Sequence, residues 1–175
     1  MKTYICEICG EAHVGIDKPG NCPFCGAHNQ YLKEGNVAKP ITLKKIELSE
    51  LSKKNLLEAL SLELNAVATY NCIASKSDNY EIIKMYNRLA EVENKHADAI
   101  SNVLDINKSD IALKTCSNEM SENFQVTLDL EIHASDIYAR FAREAVEIDI
   151  KILFAALAVV EKDHIDLINN YHHQQ

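Results

Sequence analysis

From residue 41 to its end this chain contains neither glycine nor proline; all five glycines and all three prolines come earlier. Both residues interrupt helices, so their absence leaves most of the chain free to form long ones. No run of about 18 apolar residues occurs, which argues against a membrane-spanning helix. Lysine and arginine form no cluster, and the formal charge is −8. That balance speaks against a nucleic-acid or anionic-membrane partner. An apolar signal stretch is also missing: Cys6 follows the first residue almost at once. The expectation is a cytoplasmic protein, in which six cysteines read as metal ligands or free thiols rather than disulfides.

What is present divides in two. The apolar share of 47% and charged share of 25% are those of a globular protein. The composition predicts a loop-rich module over residues 1–36, a linker over 37–48 around Pro40, and a helical domain over 49–172. In the last, Leu56, Leu60, Leu64 and Val67 recur at helical spacing. Ser49 or Ser52 is placed to cap the first helix. Ser75–Asn79 reads as a turn, residues 106–117 as a polar connection, and Glu144–Asp149 as a weaker break. Four helices of about 22 to 28 residues result, the lengths of a bundle.

An internal repeat carries the strongest signal. Shifting residues 60–102 by 68 positions without gaps gives 15 identities in 43 places, where ordinary composition would give about 3. The domain is a duplicated helical hairpin. The repeat pairs Glu63 with Glu131, Glu93 with Glu161, His96 with His164 and Tyr70 with Tyr138. Each glutamate has apolar neighbours on its own helical face, so all four point into the core. An isolated buried carboxylate must protonate or find a cation. In each hairpin the two glutamates are equidistant from the turn, which brings them level. The chain's only two Glu-x-x-His triplets add His96 and His164 one turn on. Two single-Glu helices and two Glu-x-x-His helices make the ligand set of carboxylate dimetal bundles. Iron or manganese suits imidazole with hard oxygen. Tyr70 and Tyr138, seven residues after a ligand glutamate, are placed to hydrogen-bond a site carboxylate.

The first module holds Cys6, Cys9, Cys22 and Cys25 as two Cys-x-x-Cys knuckles, each followed by glycine. Four thiolates make a tetrahedral site for one iron or one zinc, and spacing alone leaves both open. His13 and His28 read as surface residues.

With these residues the chain resembles the rubrerythrins. Cys6/Cys9 with Gly10, and Cys22/Cys25 around Pro23, are similar to their rubredoxin-like domain. The six bundle ligands with Tyr70 and Tyr138 look like their ferritin-like di-iron domain. The cysteine module comes first, as in reverse rubrerythrins. The resemblance implies a mainly α, ferritin-like four-helix bundle with a small N-terminal rubredoxin-like module. It also implies two non-haem irons and one iron held by four thiolates without inorganic sulfide. It implies an oxidoreductase that reduces hydrogen peroxide or dioxygen, supplied by a redox donor of the rubredoxin or NAD(P)H-reductase type. A head-to-tail homodimer, in which one subunit's module serves the other's di-iron site, is implied as well. One position departs: where the family carries an extra glutamate one turn after the third-helix ligand, this chain has Ala134. The ligand set is then the symmetric kind also seen in bacterioferritin-like proteins, which gives weight to an iron-oxidising or iron-handling role. A zinc ribbon fused to a metal-stabilised interaction module is the non-enzymatic reading.

Overall fold

The computed structural model describes residues 1–110 and 112–172. The N-terminal module is a three-stranded antiparallel sheet of β1 (Lys2–Cys6), β2 (Ala12–Gly15) and β3 (Leu32–Glu34), ordered β2-β1-β3. Its interior is made of the four cysteines packed with Tyr4, Ile8, Ala27 and Leu32, all buried. The linker then crosses to the bundle through a single 3-10 turn, Ile41–Leu43. Ile41 is buried, and its N–H donates to the Glu7 carbonyl at 2.8 Å.

The helices are α1 (Glu50–Lys76), α2 (Tyr80–Leu104), α3 (Met120–Glu144) and α4 (Ile148–His172). Ser49, not Ser52, caps α1, its Oγ accepting the Ser52 N–H at 3.2 Å. Asn79 caps α2 by accepting from the N–H groups of Glu81 and Ile82. The break before α4 falls where the repeat required a turn, at residues 145–147. Glu147 holds it: its carboxylate accepts from the Ser49 N–H and the Ser52 hydroxyl, each at 2.6 Å. The start of α1 is thereby tied to the start of α4.

Helices α1 and α2 pair through a three-residue turn, as do α3 and α4, and a long crossover joins the hairpins. Tyr70 reaches Glu131, and Tyr138 reaches Glu63. Both pairings are met only if α1 and α3 run in opposite directions, with Ala66 and Ala134 level at the middle. The apolar interior falls into two clusters. One holds Leu56, Phe141, Phe154 and Leu157 with the module's cysteines; the other holds Tyr70, Tyr86, Phe124 and Ile168. The repeated glutamates lie between them. Among the described residues no helix is long and apolar enough to cross a membrane.

The expectation that all six cysteines stay reduced is corrected here. Cys72 on α1 and Cys116 in the crossover form a disulfide, and Lys76 Nζ donates to the Cys116 carbonyl beside it. Forty-four positions separate the two in sequence. Only the path of the crossover back over α1 brings them together.

Two outcomes are expected. Cys116→Ser should lower the unfolding free energy by about 4 kcal/mol by loop closure, read by denaturant titration, with dithiothreitol abolishing the difference from wild type. Glu147 sits in the second. Burial raises its carboxyl, but the Ser52 hydroxyl and Ser49 N–H outweigh that and hold it down at about 2. A carboxyl lowered on folding stabilises above its ordinary value and loses that contribution as pH falls through the folded one. Wild type should therefore exceed Glu147→Gln in stability at pH 7, the gap closing between pH 4.5 and 2.

Candidate metal centres

Four helices each lend one carboxylate at the same level, and α2 and α4 add an imidazole one turn further. Glu63, Glu93, His96, Glu131, Glu161 and His164 are all buried, none more than 7% exposed. His96 Nδ1 lies 2.9 Å from Glu93, 3.4 Å from Glu161 and 3.6 Å from Glu63. His164 Nδ1 lies 3.0 Å from Glu161, 3.0 Å from Glu93 and 3.5 Å from Glu131. Two four-residue nests result, Glu63/Glu93/His96/Glu161 and Glu93/Glu131/Glu161/His164. Glu93 and Glu161 belong to both, each turning one oxygen to each nest. Glu63 and Glu131 close the ends.

Whether a cation pair fits can be tested on the polar atoms themselves. Both oxygens of Glu93, both of Glu161, and Nδ1 of each histidine are buried without a hydrogen-bond partner. Leaving such groups unsatisfied is costly, and six of them facing one centre is the inventory a pair of divalent ions would satisfy. The protonation energetics agree. Burial pushes Glu63 up to about 8 and Glu131 well above the ordinary carboxylate range. It pushes Glu93 and Glu161 the same way, but the imidazoles beside them hold both below that range. Burial would lower the two histidines, yet the facing carboxylates raise them.

The tyrosines act across the hairpins. Tyr70 of α1 donates to Glu131 of α3 at 2.5 Å, and Tyr138 of α3 donates to Glu63 of α1 at 2.7 Å. Each phenol orients the terminal glutamate of the opposite half, a partner the sequence spacing did not identify.

The cysteine module gathers Cys6, Cys9, Cys22 and Cys25, all buried, with ligand atoms within 4.8 Å of one another. Gly10 and Gly26 take positive φ, +81° and +73°, where their N–H groups donate to the carbonyls of Cys6 and Cys22. Gly26 has a further role, since a Cβ there would stand 2.8 Å from Val160 Cγ1 of α4. The module presses on the bundle at that point. His96 Nε2 lies 2.9 Å from the Cys25 carbonyl oxygen. A carbonyl only accepts, so Nε2 carries a hydrogen, and Nδ1 is the nitrogen turned to the carboxylates and free to bind an ion once its proton is displaced.

His28, read from sequence as a surface residue, pairs with Asp163 at 2.8 Å, and Lys95 pairs with Glu11 at 2.7 Å. No spacing rule links such distant positions, so sequence reasoning missed both contacts and the Cys25 carbonyl. Asp98 pairs with Lys95 and Lys108.

Fold and site together define a ferritin-like helical bundle with a paired carboxylate–imidazole centre and a rubredoxin-like four-cysteine module. The Rubrerythrin family profile matches residues 54–127, the stretch that includes Glu63, Glu93 and His96. The chain is 28% identical over 113 residues to Reverse rubrerythrin-1 of Clostridium acetobutylicum. That alignment covers 59% of this chain and 62% of the relative, so the chain spans about three fifths of its length. Over these stretches the chain is similar to the rubrerythrins and to a reverse rubrerythrin.

Because Glu93 serves both nests and Glu63 only one, their removal should differ. Metal analysis after reconstitution should find about two bundle ions per chain in wild type. Glu93→Ala should hold fewer than one, and Glu63→Ala should retain the ion beside His164. Equal losses in the two variants would contradict the shared-carboxylate geometry.

Proposed function

We propose that this chain is a non-haem di-iron oxidoreductase that reduces hydrogen peroxide, with electrons delivered through its four-cysteine iron. Glu63, Glu93, His96, Glu131, Glu161 and His164 would hold the iron pair, and Cys6, Cys9, Cys22 and Cys25 the single iron. When bound, the ferrous pair supplies two electrons, which with two protons convert hydrogen peroxide to two waters.

The observation that carries this reading is the contact between the two centres. Cys25 contributes its thiol to one nest and its carbonyl to His96 of the other. Covalent bonds and one hydrogen bond therefore connect a sulfur of the module to a nitrogen of the bundle site. An independent structural zinc knuckle has no need of that placement, whereas an electron relay does. The contact lies within one chain. A homodimer stays part of the proposal, but with each module serving its own chain's site rather than its partner's, the exchange that the resemblance implied. A separate redox donor would reduce the module, and the cytoplasm is the proposed compartment.

The chain's own groups set the conditions for the reaction. Apolar clusters on both sides of the six ligands exclude bulk water. Tyr70 and Tyr138 fix the terminal glutamates and place a phenolic hydrogen at each end of the pair. Burial and the facing carboxylates push both phenols well above their ordinary range, so they stay protonated.

Ala134 supports a second reading, an iron-oxidising ferritin-like protein, because no extra carboxylate stands there to exchange with a ligand. Size-exclusion chromatography separates the two, since storage needs a cage of many subunits and a dimer cannot enclose a mineral.

The test is to reduce the iron-loaded protein anaerobically and add hydrogen peroxide in a stopped-flow spectrometer. The four-thiolate iron should regain its visible colour about tenfold or more faster in wild type than in Glu161→Ala, a direct ligand whose loss is at least as harmful as that of an outer partner. Equal rates would sink the reading.

A further inference from the structure

A narrow cavity lined by the candidate ligands lies between α1 and α3. Its lining is duplicated like the sequence: Leu62, Ala66 and Tyr70 from α1 face Leu130, Ala134 and Tyr138 from α3. Leu62, Ala66, Leu130 and Ala134 are half-buried, and form the outer rim. At the floor stand Glu93 and Glu161, whose carboxylate oxygens are buried and unpartnered. The cavity thus ends on polar atoms that still lack a partner. The space is narrow. It leaves about 10 Å³ in which the centre of a water-sized molecule can sit, room for about one such molecule.

The two alanines set this width. Level with each other where α1 and α3 cross, they are the smallest side chains of the lining. The leucines one turn earlier on each helix form its apolar sides. No charged or hydrogen-bonding group of the rim selects by chemistry, so selection here is by size.

We propose that Ala66 and Ala134, flanked by Leu62 and Leu130, form the substrate portal of the bundle site, and that it admits small, thin molecules such as hydrogen peroxide while excluding branched alkyl hydroperoxides. The proposal rests on the oxidoreductase reading for its substrate class but concerns a separate property, access. Discrimination arises because tert-butyl hydroperoxide carries a branched carbon group wider than the gap, while hydrogen peroxide presents only its O–O axis. Position 134 then has a role in this chain without a ligand: its small side chain keeps the path open.

The experiment has one arm that does not depend on turnover. Azide, a thin rod of three atoms, is titrated into the oxidised, iron-loaded protein and its binding rate followed by charge-transfer absorption. Ala134→Phe and Ala66→Phe should each slow azide binding about tenfold or more, with the iron content of wild type. If both variants retain the metal and bind azide at the wild-type rate, the portal is overturned. Should either phenylalanine variant fail to fold, the wild-type substrate comparison decides. Reduced wild type should be oxidised by tert-butyl hydroperoxide at least about tenfold more slowly than by hydrogen peroxide. The double change Leu62→Ala with Leu130→Ala should raise the tert-butyl rate selectively. Equal rates for the two peroxides in wild type would overturn the size limit. If wild type is oxidised by neither peroxide, the oxidoreductase reading fails while the azide arm still decides the portal.

Discussion

Four carboxylates buried in an apolar bundle are the constraint around which the rest of this chain is arranged. Each would cost several kcal/mol to bury as an unpaired charge, and two imidazoles cannot balance four of them. The fold does not disperse this burden. It concentrates the acids at one level, with aromatic and aliphatic side chains filling the interior on both sides. Such an arrangement is unfavourable as pure protein and becomes favourable once cations take up the six unpartnered atoms. Metal binding and bundle stability are then two aspects of one equilibrium.

Duplication is the economical way to build that centre. One hairpin supplies a single glutamate, a Glu-x-x-His triplet and a tyrosine; the copy supplies the same set. The crossover sets α1 and α3 in opposite directions, which is why each tyrosine serves the other half's glutamate. Neither hairpin alone could satisfy its own terminal carboxylate in this way. The site is therefore a property of the assembled domain, and its parts acquire their roles only when both halves fold together.

Much of this could be read from the residues before any coordinates. The repeat, the apolar faces and the equal distances from each turn locate all six candidate ligands, because these are helical-periodicity and symmetry arguments. Even the weakest predicted break, at Glu144–Asp149, falls where the duplication demanded one. What escaped was every feature set by contacts between distant segments. The Cys72–Cys116 disulfide depends on where the crossover runs. The pairing of His28 with Asp163 depends on how the module docks. So does the partner of His96, which is a main-chain carbonyl and leaves no trace in side-chain spacing. Tyr70 and Tyr138 were legible as carboxylate partners, but which carboxylate each one holds required the direction of α1 relative to α3.

The docking of one module on a two-fold repeated bundle has a consequence of its own. The ligands of the two nests are the same in kind, but the Cys25 carbonyl meets His96 and polarises that imidazole alone of the pair. Equal donors in unequal surroundings would give any ions held there unequal electron affinity, so the centre has a distinct near and far side. Gly26, kept small by the Val160 side chain against it, is one of the contacts through which the docked module gives a symmetric inheritance a direction.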